Sequence, residues 1–272
     1  MQGTTSARGG WRASLALHFR NDLGRTVLAR AAHVGPLTVQ RPFYPEGGTC
    51  HLYLLHPPGG IVGGDELDIT VMLDPGSHAL ITMPGASKFY RSAGAEARLS
   101  QHMTVGEDAA LEWLPQDTIF FPGARARQTT AFHLSRGSRL LAWELFCLGR
   151  PVNGEAFSEG ELHSRLEVWL EDSPLLVERL HLREGDLSPV AEQPWVGTLL
   201  FYPADEQMLE AVRDALQPLE NFSGATCTDN LMTVRFLADD NLICQKAMRN
   251  VWQLMRPLLL NKSPEPPRIW LT

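Results

Sequence analysis

Four carboxylates stand in segments that are otherwise apolar, and they are the residues of this sequence best suited to chemistry. Glu144 lies within Leu140–Leu148, a run that is apolar on both faces of a strand, and Glu112 is flanked by a leucine and a tryptophan. Glu178 shares a strand face with leucines, and Asp65 leads the apolar face of the strand that follows it. An unpaired carboxylate in such surroundings costs several kcal/mol or takes up a proton.

Two explanations fit these acids. In the first, they pair with internal arginines, and Arg139 and Arg179 are near in sequence. In the second, the four acids line a hydrated interior passage, which leaves transient binding of a metal ion open. The second explanation requires that Asp65, Glu144 and Glu178 face one water-accessible cavity.

Histidine and cysteine predict no closed metal site. His51 and His56 lie five residues apart, so a regular strand points them to opposite faces. The other histidines are scattered, and the sequence contains no HxH, HExxH or CxxC pattern.

A Gly-rich segment, residues 56–67, has the glycine spacing of a phosphate-binding loop at Gly59, Gly60, Gly63 and Gly64. Asp65 and Glu66 occupy the positions where such a loop carries Lys and Ser or Thr. Carboxylates there would repel phosphate. The segment is therefore interpreted as a set of tight turns that shape an ion passage or a partner surface.

A second loop, residues 83–91, offers a weak case for catalysis. Ser87 next to Lys88 suggests a Ser-Lys hydrolase, but Ser87 is not in a GxSxG motif. A turn that faces solvent or a partner is favoured, and a β-rich hydrolase using Ser87 and Lys88, or a carboxylate pair, is the alternative. The predicted loop and partner surface comprises the four glycines above with Ser87, Lys88, Tyr90 and Arg91.

The elements that position these residues are mainly strands. The 23 glycines and 19 prolines among 272 residues favour many turns, and turn residues separate apolar runs at spacings typical of sandwiches, barrels or stacked sheets. Residues 1–200 are predicted as a β-rich body. Residues 201–262 are predicted as a helix, a hairpin and a second helix on the same body, with Pro218 ending the first helix and Pro257 kinking or ending the second.

Composition excludes several classes of protein. A net charge of −7 argues against nucleic-acid binding, and no apolar run reaches the roughly 20 residues of a membrane span. The four cysteines have no paired spacing, which favours reduced thiols and the cytoplasm. The end of the chain, residues 263–272, is either a last packed strand or a docking tail on a stiff linker, formed by Arg268, Ile269, Trp270 and Leu271.

Five segments of the sequence resemble the urease accessory protein UreD family, also called UreH. These segments are residues 41–45 (RPFYP), 55–65 (LHPPGGIVGGD), 82–91 (TMPGASKFYR), 113–121 (WLPQDTIFF) and 240–244 (DNLIC). The resemblance covers nearly the whole chain. It implies many short strands in a β-helix-like or distorted sandwich arrangement, with two helices.

The resemblance also implies a role without catalysis. UreD-like proteins bind apo-urease, the accessory protein UreF and the GTPase UreG, and two copies are expected to be bridged through a UreF dimer. Together these proteins deliver Ni²⁺ and carbon dioxide to the urease active site. The family is thought to contain an internal nickel tunnel, so Ni²⁺ is expected to bind transiently and no cofactor permanently. Carboxylates and water suit such a labile ion better than a thiolate cage.

Overall fold

The computed structural model of the protein describes residues 10–217 and 223–271. Within those ranges the chain forms eighteen strands and two α-helices, α1 (Glu206–Leu216) and α2 (Asn241–Leu260). The strands are β1 (Arg12–Asp22), β2 (Arg25–Val34), β3 (Thr38–Val39), β4 (Cys50–Leu55), β5 (Glu66–Leu73), β6 (His78–Thr82), β7 (Ser87–Phe89), β8 (Ala97–Val105), β9 (Ala110–Leu114), β10 (Thr118–Phe120), β11 (Arg125–Leu134), β12 (Arg139–Arg150), β13 (Glu155–Ala156), β14 (Glu161–Leu170), β15 (Ser173–Leu182), β16 (Trp195–Tyr202), β17 (Ser223–Thr228) and β18 (Leu231–Ala238). The predicted class, mainly β with two helices in the C-terminal third, is confirmed.

The strands form two large sheets. The first has the order β15-β14-β11-β8-β5-β1-β2, with a parallel centre and an antiparallel strand at each edge. The second has the order β17-β18-β16-β12-β9-β6-β4-β3, and its strands β12, β9, β6 and β4 are parallel. Short strands β7 and β10 pair with each other, and β10 also pairs with β12.

Apart from the short strands β7, β10 and β13, the strands from β5 to β14 alternate between the two sheets, so the chain winds into stacked coils. Strands β5, β8, β11 and β14 belong to the first sheet, and β6, β9 and β12 belong to the second. The first-sheet strands begin at Glu66, Ala97, Arg125 and Glu161, which are unequally spaced. Variable turns thus hide the coil from a search for a fixed-length repeat, while the β-helix-like arrangement itself is as expected.

The second sheet is buried on both faces, and β12 demonstrates this by the alternation of its side chains. One set lies in the core between the two sheets: Leu140, Ala142, Phe146 and Leu148. The other set lies in a second core that contains residues of α1 and α2: Leu141, Trp143, Leu145 and Cys147. The layers are therefore sheet, sheet and helices, and a strand of the middle layer must be apolar on both faces.

The helical section follows the predicted order on the same body. Asp205 and Asp240 cap the two helices through hydrogen bonds to backbone amides, as expected for acids at these positions. The hairpin of β17 and β18 turns at Asp229-Asn230, both with positive φ. The small and polar residues 1–10 predict a frayed end, and all of them except Gly10 lie outside the described residues, as does Pro218.

Helix α2 agrees with prediction in part. The helix continues through Pro257 to Leu260, so the proline does not end it, and the alternative of a kink stays a prediction. Helical spacing predicts an apolar stripe, of which Ile243 and Leu258 are exposed, whereas its other members are buried or partly buried: Ala247, Val251, Leu254 and Met255. Trp252 and Arg256, outside the predicted stripe, are buried as well. No helix among the described residues is long and apolar enough to span a membrane.

Candidate functional site

Glu144 projects into the core between the two sheets, on the same side of β12 as Ala142 and Phe146. Thr130 Oγ1 donates a hydrogen bond to Glu144 Oε1 at 2.5 Å, and Gln128 Nε2 donates to the same oxygen at 3.1 Å. Gln101 Nε2 in turn donates to Thr130 Oγ1 at 3.3 Å. We call these four buried residues, Gln101, Gln128, Thr130 and Glu144, the interior polar strip.

The environment of Glu144 changes its protonation. Its pKa is raised to about 7, because burial and, to a smaller extent, the nearby charge of Glu178 outweigh the lowering effect of the hydrogen bonds from Thr130 and Gln128. At neutral pH the carboxyl group is therefore balanced between its neutral and ionised forms. A group in this state can exchange a proton for a cation with little cost in free energy.

A small inner cavity adjoins the interior polar strip. Its volume is about 10 Å³, close to the minimum for one water molecule, and it is lined by three strip residues, Gln101, Gln128 and Glu144, with Met83 and Ser87 among others. Gln128 Oε1 is buried and accepts no hydrogen bond from the described residues. The cavity wall thus presents an oxygen ligand beside the Glu144 carboxylate.

Glu178 lies on β15, at the edge of the first sheet, where it faces Arg235 of β18 in the second. Arg235 donates to Glu178 through Nε at 3.4 Å and through Nη2. Both side chains are partly exposed. Glu178 therefore lies near Glu144 at the solvent edge of the same inter-sheet space.

The Gly-rich segment and the 83–91 loop are joined by backbone hydrogen bonds and therefore lie next to each other. Ile61 and Phe89 form a parallel bridge, in which Ile61 N donates to Lys88 O at 2.7 Å and Tyr90 N donates to Ile61 O at 2.9 Å. An outer cavity of about 380 Å³ lies between the loops, lined by His56, Gly59 and residues 83–88 among others.

The four glycines serve two purposes. Gly59 and Gly64 have φ values of +73° and +93°, which bear out the interpretation as turns. Gly60 and Gly63 instead allow close approach, since a Cβ on Gly60 would lie 2.1 Å from the Tyr90 ring. Backbone geometry therefore explains these residues.

Asp65 holds the end of the Gly-rich segment together. Its Oδ1 accepts from Trp11 N at 2.8 Å and its Oδ2 accepts from Val62 N at 2.9 Å. It lines a cavity of about 460 Å³ that also contains His56. Burial lowers the pKa of His56, which favours the neutral imidazole, and the charge of Asp65 opposes this. Sequence reasoning set His56 aside, although it lines both loop cavities.

Glu112 faces the helices instead of the space between the sheets. Arg256 on α2 donates to its two oxygens at 2.8 and 3.0 Å, and His78 Nε2 lies 3.0 Å from Oε1. Glu46 accepts from the same guanidinium at 2.5 Å and from His51. The pKa of Glu112 is lowered because these partners outweigh its burial. Sequence reasoning missed this network, since no sequence pattern links Arg256 to Glu112.

The acids therefore divide between the two explanations. Glu112 and Glu178 pair with arginines, but with Arg256 and Arg235, whereas the arginines near in sequence, Arg139 and Arg179, are exposed. Asp65 and Glu144 line separate cavities, and neither of those cavities is lined by Glu112 or Glu178. The structure does not bring all four acids to one cavity, and their role with nickel stays a prediction.

The C-terminal tail packs on its own chain. Residues Arg268–Leu271 form a 3₁₀ turn, not a strand. Trp270 is buried, with its ring 5.0 Å from that of Trp143 and 5.1 Å from that of Trp252, and Nε1 donates to Thr82 Oγ1 at 3.1 Å. Arg268 is exposed. The predicted contact of this tail with a partner stays a prediction.

Comparison with known proteins identifies the family. The family model of the UreD urease accessory protein matches residues 12–271. A urease accessory protein UreD of Enterobacter sp. (strain 638) is 66% identical over 274 residues, which cover all of both chains. That of Klebsiella aerogenes is 68% identical over 263 residues, 97% of each chain, and that of Pseudomonas putida (strain W619) is 51% identical over 97% of this chain and 95% of its own.

The chain belongs to the UreD family of urease accessory proteins. The resemblance to the UreD family, which the five sequence segments indicated, is thereby confirmed. The relatives are named as accessory proteins of urease and not as enzymes, which agrees with the predicted role without catalysis.

The surroundings of Ser87 and Lys88 fit an accessory protein better than a hydrolase. Ser87 Oγ donates to Met83 Sδ at 3.9 Å, so the partner of this hydroxyl is a thioether and not a base. Arg91, at the end of the same loop, forms an exposed ion pair with Glu159 at 3.0 Å. The loop thus presents polar side chains at a surface without a nucleophile–base pair.

Proposed function

We propose that this chain is a cytoplasmic nickel metallochaperone scaffold. It binds apo-urease, UreF and the GTPase UreG, and it helps deliver Ni²⁺ for GTP-dependent assembly of the urease metal centre. Two copies are bridged through a UreF dimer, and nickel is cargo that binds transiently. Membership in the UreD family and the names of the relatives support a role in urease maturation.

The observation that carries the nickel proposal is Glu144, a titratable carboxyl group enclosed between two sheets. Its pKa of about 7 lets it lose a proton as an ion arrives and regain one as the ion leaves. The unpartnered Gln128 Oε1 offers a second oxygen ligand from the wall of the same cavity. Oxygen ligands of this kind bind a divalent ion weakly, and transfer requires binding that still permits exit.

The proposed path enters from the face formed by the two loops. The outer cavity and the inner cavity share Met83 and Ser87 in their walls, so the two spaces are neighbours. From Glu144 the path leads towards Glu178 and Arg235 at the partly exposed edge of the sheets. Asp65 and Glu112 are not part of it, because Asp65 lines a different cavity and Glu112 faces the helices, where Arg256 holds it.

The partner surfaces are proposed on α2 and on the loop face. Leu242 and Ile243 project apolar side chains into solvent from the first turn of α2, and Leu258 does so from its last turn. The exposed Arg268 lies in the tail that follows this helix. These residues suit docking of UreF, and the loop residues Lys88 and Arg91 suit a second partner.

Nickel loading of urease tests the path. The variant Glu144→Gln keeps the size of the side chain and its capacity to accept from Thr130, but it removes the negative charge. Urease co-expressed with this variant is expected to contain nickel at a level reduced roughly tenfold or more, the usual effect of losing a group that supports a metal. Pull-down of urease, UreF and UreG with the variant should be unchanged.

The matched control is Asp68→Asn, which removes an exposed carboxylate from the outer face of β5 and should leave nickel loading as in the wild type. Normal nickel content with Glu144→Gln would contradict the path but leave the scaffold role intact. Failure of the unmodified chain to co-purify with any urease component would contradict the scaffold role.

A further inference from the structure

A cluster of metal-ligating side chains lies on the outer face of the first sheet, away from the interior polar strip. His163 on β14 and His181 on β15 are directly opposite each other in the antiparallel register. Glu161 is two residues before His163 and therefore projects from the same face of β14. Leu162 and Ser164, which alternate with them, are buried on the inner side.

The donor atoms of the cluster already converge. His163 Nε2 lies 3.0 Å from Glu161 Oε1, and His181 Nε2 lies 3.7 Å from the same oxygen. One donor atom from each of the three residues lies within 4.8 Å of the other two, and the imidazole rings are 3.8 Å apart between centroids. Ligands bonded to one ion at about 2.1 Å are separated by roughly 3.0 to 3.4 Å, so only small shifts would close a site.

We infer that Glu161, His163 and His181 form a surface site for a divalent first-row transition ion. Two imidazoles and one carboxylate are a donor set that suits Ni²⁺ or Zn²⁺, with water completing the coordination. Binding would replace the contact between His163 Nε2 and Glu161 Oε1 with bonds to the ion, and the proton on Nε2 of a neutral His163 would move to Nδ1.

Two neighbouring arginines oppose binding of the ion. Arg183 Nε donates to His181 Nε2 at 3.0 Å and so occupies the lone pair that a metal needs. Arg125, 3.7 Å from Glu161 Oε2, adds further positive charge. An ion must displace the exposed Arg183 side chain, and removing this side chain should therefore strengthen binding. A cluster that does not bind metal gives no reason to expect this increase in affinity for the ion.

The test is calorimetric titration of the full-length chain with Ni²⁺ alone and with Zn²⁺ alone. His163→Ala and His181→Ala are each expected to weaken binding at this site by roughly tenfold or more, and Arg183→Ala is expected to tighten it by several-fold. The control is His133→Ala, which removes an exposed histidine from the outer face of the neighbouring strand β11 and should change nothing.

Glu161→Gln preserves the shape of its side chain and is used if either histidine variant unfolds, which thermal unfolding will report. Equal affinities of the wild type, Glu161→Gln and Arg183→Ala would overturn the site. The titration involves only the ion and this chain, and the cluster is separate from Glu144. Its outcome is therefore independent of the nickel-loading test of the proposed function.

Discussion

Glu112 on β9 and Arg256 on α2 form an ion pair with two hydrogen bonds, of 2.8 and 3.0 Å, although 144 residues separate them. Both side chains are almost fully shielded from solvent. Arg256 also donates to Glu46 and to the carbonyl oxygen of Ser263. One guanidinium group thus fastens the helix to the second sheet and to the segment that leads into the C-terminal tail.

Removing this guanidinium should be strongly destabilising. Arg256→Met leaves the Glu112 carboxylate buried with only His78 beside it, and loss of one partner of a buried pair costs about 3–5 kcal/mol. The free energy of unfolding in urea measures the effect. Lys246→Met, at an exposed position of the same helix, is the control and should change it by no more than about 0.5 kcal/mol. Equal stability of the two variants would contradict a structural role for the pair.

The stability of the protein should depend on pH through Glu144. Its pKa in the folded state, about 7, is above the ordinary value of 4.5, so the folded state holds this proton more tightly. The group stabilises the fold below pH 4.5, and this contribution is lost as the pH rises to about 7. The loss amounts to roughly 3 kcal/mol. Glu144→Gln lacks this loss, and so it should gain stability relative to the wild type as the pH rises.

Urea unfolding of both proteins between pH 5 and pH 8 measures this difference. Glu46 and Glu112, whose pKa values are lowered, are present in both proteins and cancel in the comparison. A difference in unfolding free energy that stays constant over this range would show that Glu144 titrates normally.

Gly60 should not tolerate a methyl group. A Cβ at this position would lie 2.1 Å from the Tyr90 ring, and overpacking of this kind costs about 1–3 kcal/mol. Gly85→Ala in the facing loop is the control, since its Cβ would meet nothing within 4 Å. Thermal unfolding should show a lowered midpoint for Gly60→Ala but not for Gly85→Ala. Adding Tyr90→Ala to Gly60→Ala should restore part of the lost stability. The explanation is wrong if both glycine variants melt alike.

Trp270 should stabilise the isolated chain, whether or not it also contacts a partner. Trp270→Ala empties the space between Trp143 and Trp252 and removes the bond to Thr82, at a cost of about 3–5 kcal/mol. Unfolding of the isolated chain measures this loss, and Arg268→Ala, at an exposed position, should leave stability unchanged. If the tail served docking alone, Trp270→Ala would weaken partner binding while the isolated chain stayed fully stable.

Much of the fold could be predicted because it follows from local sequence patterns. The alternation in β5 identifies a strand with one buried face, and the caps at Asp205 and Asp240 mark where the helices begin. The stripe of α2 was placed correctly at Ala247, Val251 and Met255 but wrongly at its two ends, where Ile243 and Leu258 are exposed. Only the position of the sheet decides that Arg256 is inside and that Ile243 is outside.

The candidate site was predictable only in part. Sequence identified Glu144 and Glu112 as acids among apolar residues, but it left open whether they pair with arginines or line one passage. Strands β9 and β12 are apolar on both faces, so their sequences do not reveal which face meets the other sheet and which meets the helices. In the structure Glu144 faces the other sheet, and Glu112 faces the helices.

The sequence by itself determined the secondary structure, the turns and the family, because these depend on short-range preferences and on the order of recognisable segments. Only the tertiary structure decided the partners of the acids. The pairing of Glu112 with Arg256 and of Glu178 with Arg235 depends on the stacking of coils and on the layer that each strand face meets. Such contacts join residues that are distant in sequence, and no local pattern records them.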